Sequence, residues 1–109
     1  MTIHHQDQFP AEGHTYHVNF GSGNEFEIAF GHQFDMTFTK LAEPNKGQTE
    51  TIFYKRQFLR EGLYMVHWQE KDKTTVVHVE DFANEQIYSN ITFPDGTFFN
   101  GVSTLKKVK

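Results

Sequence analysis

Apolar residues recur along much of this chain at every second position. Phe26, Ile28 and Phe30 alternate with Glu25, Glu27 and Ala29, while Phe34, Met36 and Phe38 alternate with Asp35 and Thr37. An extended strand points successive side chains to opposite faces, so this alternation predicts an N-terminal sheet with one buried side. Turn-forming residues interrupt the pattern at Gly21-Ser22-Gly23-Asn24, Gly31-His32, Glu43-Pro44-Asn45-Lys46-Gly47, Lys71-Asp72-Lys73, Ala83-Asn84-Glu85 and Pro94-Asp95-Gly96. The segments between them predict about eight strands: His14–Phe20, Asn24–Phe30, Gln33–Thr39, Thr49–Leu59, Gly62–Glu70, Thr74–Phe82, Gln86–Phe93 and Thr97–Leu105. No segment carries a convincing helical period.

Short loops make consecutive strands antiparallel neighbours, and such a run leaves two edges with unpaired backbone groups. Closure hides both, so the expected fold is all-β: a small antiparallel up-and-down barrel of about eight strands, lipocalin- or calycin-like. An open sandwich is the alternative. Residues 13–106 are assigned to this single domain, and the polar, His-rich residues 1–12 to a flexible arm or lid.

Hairpin register decides which residues share a face. Centring the turn on Lys71–Thr74 pairs Glu70 with Thr75, Trp68 with Val77, Val66 with Val79 and Tyr64 with Asp81. Carried through the next two turns, this register puts Tyr64, Trp68, Glu70, Asp81, Tyr88, Asn90, Phe98 and Asn100 on one face, with valines among them. The other face holds Met65, His67, His78, Glu80, Ser89, Ile91 and Phe99. A packed barrel interior would be nearly all apolar. A mixed inner face therefore predicts a cavity in which a few polar groups orient a compact aromatic or apolar ligand, and a mixed outer face predicts self-association, as in a homodimer.

Composition narrows the function classes. The 109 residues include no cysteine, which removes disulfides, thiolate zinc sites and a Cys nucleophile. Fourteen acidic residues against ten basic ones give a formal charge of −4 and no basic footprint for nucleic acid. The only positive cluster, Lys106, Lys107 and Lys109, reads as a solvated tail. No apolar run approaches the roughly 20 residues of a membrane span. The N-terminal MTIHHQDQFP lacks the basic and apolar regions of a signal peptide, so a cytoplasmic protein is expected.

The stretch from Gly62 to Leu105 contains GLYMVHWQE, TVVHVEDF and NITFPDGTF, and Glu50–Tyr54 reads ETIFY. These elements resemble the MoaF-like family, named for a molybdenum-cofactor biosynthesis protein F. The resemblance implies a small calycin-type barrel that holds a ligand. A more distant similarity runs to phenolic acid decarboxylases, through Gly62, Tyr64, Trp68 and Glu70. In that family the glutamate faces the barrel interior and takes part in acid chemistry on a hydroxycinnamate, which implies an inward Glu70. The family's paired tyrosines would fall near Val18 and Phe20, or at Tyr16 after a two-residue slip. Its substrate-binding arginine would fall near Gly47. Both departures argue against activity on phenolic acids.

Glu70 is thus the candidate catalytic residue, and Tyr64, Trp68, Asp81, Tyr88, Asn90, Phe98 and Asn100 are the candidate ligand-binding residues. If Glu70 and Asp81 share a closed interior, desolvation and mutual repulsion raise at least one carboxyl pKa. A place at the solvated rim is the alternative for both. His67 opposite His78, with Glu80 diagonal, has the donor set of a metal site, but that face is assigned outward and no metal is expected. His14 and His17, beside Glu12, fall on opposite faces of a strand. His4 and His5 belong to the arm. Phe20, Phe26, Phe30, Phe34, Phe38, Trp68 and Phe98 either line a pocket or form ordinary core. Gly21-Ser22-Gly23 lacks the strand–loop–helix context of a phosphate cradle and reads as a hairpin turn. Three readings follow: a small-molecule-binding barrel without a cofactor; a cofactor-independent lyase, decarboxylase or isomerase using Glu70 as general acid or base; and a protein-interaction module.

Overall fold

The computed structural model describes residues 9–109, which form strands and turns without a helix. In chain order the strands are β1 (Thr15–Asn19), β2 (Glu25–Phe30), β3 (Asp35–Lys40), β4 (Thr49–Phe53), β5 (Lys55–Arg60), β6 (Leu63–Gln69), β7 (Thr75–Asp81), β8 (Gln86–Thr92), β9 (Phe98–Thr104) and the short β10 (Lys106–Lys107). They build two antiparallel sheets, ordered β10-β1-β2-β3-β4 and β5-β6-β7-β8-β9. The expected closed ring of about eight strands is therefore not what the ladders form.

The difference arises at two corners. The segment expected as one strand over Thr49–Leu59 leaves the first sheet after Phe53 and enters the second at Lys55. Tyr54, the residue at the corner, is only 3% exposed and packs against Phe9, Phe30 and Phe34. Leu105, also buried, makes the second corner between β9 and β10, and its N–H donates to the carbonyl of Glu85. Strands that bend between sheets are the usual way for two packed sheets to share a corner.

The first sheet follows its alternation. Tyr16 pairs with Ile28, Ile28 with Phe38, Phe30 with Met36 and Met36 with Ile52, so these side chains lie on one face and turn inward. The second sheet has a different register from the turn-centred expectation. Glu70 N–H donates to Thr74 O at 2.7 Å and Lys73 N–H to Glu70 O at 2.9 Å, leaving a three-residue loop. Lys73 takes the left-handed conformation, φ 81°, that closes such a loop. Tyr64 then pairs with Glu80, Val66 with His78 and Trp68 with Val76. That one-residue step moves β7, and β8 and β9 after it, to the opposite face relative to β6.

The inner face of the second sheet consequently carries Tyr64, Val66, Trp68, Val76, His78, Glu80, Ile87 and Ser89, all buried. At one end of the space between the sheets, Phe9 packs edge-on against Phe30, Tyr64 and Phe82 at centroid distances of 5.5, 4.9 and 5.5 Å. Residues 1–8 of the expected arm lie outside the described residues, but Phe9 and Ala11 are part of the core. No helix among the described residues is long and apolar enough to cross a membrane.

Candidate functional site

Phe9 and the aromatic residues around it fill one end of the inter-sheet space. Toward the other end the side chains part and leave a pocket of about 150 Å³. The first sheet contributes Val18, Phe26, Ile28 and Phe38, and Phe20 and Asn24 come from the turn after β1. The second contributes Trp68, Val76, Ser89 and Ile91, while Glu70, Thr74 and Phe93 stand at its strand ends. Of the aromatic residues weighed as lining, Phe20, Phe26, Phe38 and Trp68 do line it. Phe30 lies in the core, Phe34 stacks on the Arg56 guanidinium at 4.5 Å, and Phe98 is 73% exposed.

Glu70 stands at the neck between this apolar chamber and an outer recess of about 210 Å³. The recess shares Phe26 and Phe38 and adds Lys40, Gln48, Thr49, Glu50 and Asp72. Trp68 Nε1–H donates to Glu70 Oε2 at 3.1 Å, a bond that favours the carboxylate. Burial outweighs it, and Glu50 and Asp72 add like charge, so the Glu70 carboxyl is pushed up to about 7. At neutral pH the group is thus divided between proton donor and acceptor. Glu50 is held in place by the Lys71 N–H, which donates to its Oε2 at 2.8 Å.

A buried polar cluster lies between the chamber and the filled end. His78 Nδ1 is 3.2 Å from Glu80 Oε2, with His78 4% and Glu80 0% exposed. Burial raises the Glu80 pKa, opposed by the hydrogen bond and charge of His78. The imidazole packs edge-on to Trp68, centroids 4.9 Å apart, and lies 5.9 Å from the Phe20 ring. Ser89 is the cross-strand partner of His78, and its fully buried Oγ has no hydrogen-bond partner among the described residues. Opposite Ser89 on β9 is Gly101, where a Cβ would come within 2.8 Å of the Phe99 ring and 3.3 Å of Phe20 Cβ.

The structure brings together only part of the set picked from the sequence. Glu70 and Trp68 line the pocket, and Tyr64 lies deeper, against Phe9 and Phe58. Asp81, paired with Leu63 rather than Tyr64, accepts hydrogen bonds from the backbone N–H and side-chain amide of Asn84, which hold its carboxyl below the usual range. Tyr88, Asn90, Phe98 and Asn100 stand on the opposite face of the second sheet. There Asn100 Nδ2 donates to Asn90 Oδ1 at 2.9 Å, and Tyr88 is 43% exposed. These four share a face with one another as expected, but the register step separates them from Trp68 and Glu70.

The same step replaces them with His78, Glu80 and Ser89, which sequence reasoning assigned to the outside. A signal was present, because TVVHVEDF places His78 and Glu80 two residues apart in a β-branched strand. His67 pairs with Val77 and turns away from His78, so the expected His67–His78 opposition does not occur. His17 pairs with Glu25 at 2.8 Å, and Glu12 pairs with Arg56 at 2.9 Å. Among the described residues no three acidic or imidazole groups cluster as a metal site would require.

The sequence model of a family described as MoaF-like matches residues 12–106 of the chain. Among solved structures, a crystal structure from Burkholderia vietnamiensis, described under the provisional name of a beta-lactamase, superposes with a TM-score of 0.85. The two are 28% identical, over 92% of this chain and 97% of that one. No curated protein matches.

Proposed function

The chain belongs to the MoaF-like family, and from that premise we propose that it is a cytoplasmic binding protein that holds a compact aromatic or apolar molecule between its two sheets, with Glu70 at the neck of the site. The observation that carries this reading is the apolar pocket itself, about 150 Å³ and walled by Phe26, Phe38, Trp68, Val76 and Ile91. An apolar cavity of roughly 150 Å³ is enough for one six-membered ring. Glu70 supplies a polar contact to whichever end of the ligand faces the recess. It donates when protonated and accepts when ionised.

Trp68 is the single tryptophan of the chain and lines the pocket, so its fluorescence reports occupancy. Titration with toluene is expected to give a saturable change in the wild type, and Val76→Phe, which fills the chamber, is expected to abolish it. A linear response in the wild type, or an unchanged response in Val76→Phe, would reject the reading.

A second reading is favoured by the Glu70 carboxyl lying near neutrality: a cofactor-independent lyase, decarboxylase or isomerase in which Glu70 is general acid or base. Turnover of a candidate substrate that survives Glu70→Gln unchanged excludes it. The name beta-lactamase belongs to the Burkholderia protein alone. Acyl transfer by a serine needs a base within hydrogen-bond reach, and Ser89 Oγ has no such partner among the described residues. Self-association is proposed for the outer face of the second sheet, where Tyr88, Phe98 and Val102 are 43%, 73% and 55% exposed.

A further inference from the structure

The wall of the pocket formed by the second sheet carries a buried hydroxyl, Ser89 Oγ. It has no partner among the described residues, and a buried hydroxyl left without a hydrogen bond is destabilising. It belongs to the lining of a space large enough for a ligand, and the neighbouring lining residue is His78. Apart from Asn24, Glu70 and Thr74, the other lining residues are apolar or aromatic. A ligand with a complementary atom at its inner end would satisfy the hydroxyl.

The protonation of the His78–Glu80 pair decides what that atom is. Two ionisable groups in a dry interior favour the state with no net charge. Such a pair holds two exchangeable protons. Glu80 Oε1 has no partner among the described residues, and a proton there would be a buried donor without an acceptor, so one lies in the contact between Nδ1 and Glu80 Oε2 and the other is on Nε2. Whether the shared proton sits on the imidazole or on the carboxyl, Nε2 carries N–H and donates. Ser89 O–H rotates to suit its partner. The wall therefore offers a pair of donors, Ser89 O–H and His78 Nε2–H, on side chains that are cross-strand neighbours in the pocket lining. An anionic acceptor is disfavoured, because no Arg or Lys is among the lining residues and Glu80 lies behind His78.

We propose that the pocket selects a compact apolar molecule bearing one uncharged carbonyl oxygen, such as a cyclic or aromatic ketone, aldehyde or lactone, seated with that oxygen against Ser89 and His78. This inference rests on the binding reading above and specifies its ligand class. The hydrocarbon body lies between Trp68, Phe26, Phe38 and Ile91, and Glu70 covers the outer end.

Cyclohexanone and methylenecyclohexane share a ring and differ in one exocyclic atom, oxygen against methylene. Binding of each is followed by the indole N–H resonance of Trp68 in wild type and Ser89→Ala. Both probes are expected to bind the wild type. Ser89→Ala is expected to weaken cyclohexanone by about fivefold, the worth of one hydrogen bond, and to leave methylenecyclohexane unchanged or tighter. The carbonyl carbon resonance of cyclohexanone in the wild-type complex, which needs no variant, is expected at or downfield of its position in water. If that resonance moves upfield toward its position in hexane, or if Ser89→Ala treats the two probes alike, the carbonyl inference is overturned while the binding reading stands. If neither probe shifts Trp68 in the wild type, the binding reading fails and takes this inference with it.

Discussion

Glu70 joins sequence, burial and chemistry in one side chain. Its place in the Trp-Gln-Glu-Lys segment, in alternation with Trp68, and the resemblance to known barrels left two positions open, inward or at the solvated rim. Its chemical state was not legible, because that depends first on how deeply the group is buried between the sheets and then on the like charge of Glu50 and Asp72. Raised to about 7 from 4.5, the carboxyl binds more protons in the folded chain than in the unfolded one between those pH values. Stability contributed by the group is thus highest below about pH 4.5 and falls as pH rises toward about 7. Glu70→Gln keeps an acceptor for Trp68 Nε1–H and removes the titration. Urea unfolding is expected to show the variant gaining about 1–2 kcal/mol over wild type at pH 8, after allowance for solvent screening, and little at pH 4. An equal difference at both pH values would contradict the assignment. Asp72, Asp81 and Asp95, whose carboxyls are held low by Thr74, Asn84 and Thr97, act in the opposite sense and lose stabilisation as pH falls.

At the scale of elements, the β6–β7 hairpin determines which side chains reach the pocket. Its three-residue loop, in place of the four-residue loop that centring on Lys71–Thr74 implies, decides that His78 and Ser89 face inward and that Tyr88 and Asn100 do not. Strand existence was readable because alternation runs over whole strands. Register was not, because it turns on one residue in the left-handed region, and Lys73 is a residue type that gives no such warning. The later hairpins were read with the right parity, since Pro94-Asp95-Gly96 carries its left-handed glycine openly. Lys73→Gly is expected to stabilise the protein by about 0.5–1 kcal/mol in urea unfolding by relieving that conformation. A destabilised variant would mean that the loop is held otherwise. Gly101→Ala is expected to cost about 1–3 kcal/mol, because its methyl meets the Phe99 ring and Phe20 Cβ.

Over the whole molecule, two sheets share corners at Tyr54 and Leu105, and the space between them is divided. One end is filled by Phe9, Tyr16, Phe30, Tyr54, Tyr64 and Phe82, and the other is open around Trp68. The all-β class and the buried N-terminal face were legible from periodicity. The bends were not, because a strand that changes sheet keeps its alternation through the corner. Phe9, placed by composition in a polar arm, closes the filled end, and Phe9→Ala is expected to destabilise the fold by about 3 kcal/mol in urea unfolding. On the outer face, Phe98→Ser is expected to shift sedimentation toward a monomer if copies pair there, and an unchanged profile argues against that surface. The central claim is that the open end holds a ring-sized ligand, and a crystal structure of the protein soaked with toluene tests it most directly. Ordered density for one ring against Trp68, Phe26 and Ile91 is the expected result. A chamber closed by its own side chains, or a ring bound only at the outer face of the second sheet, would contradict it.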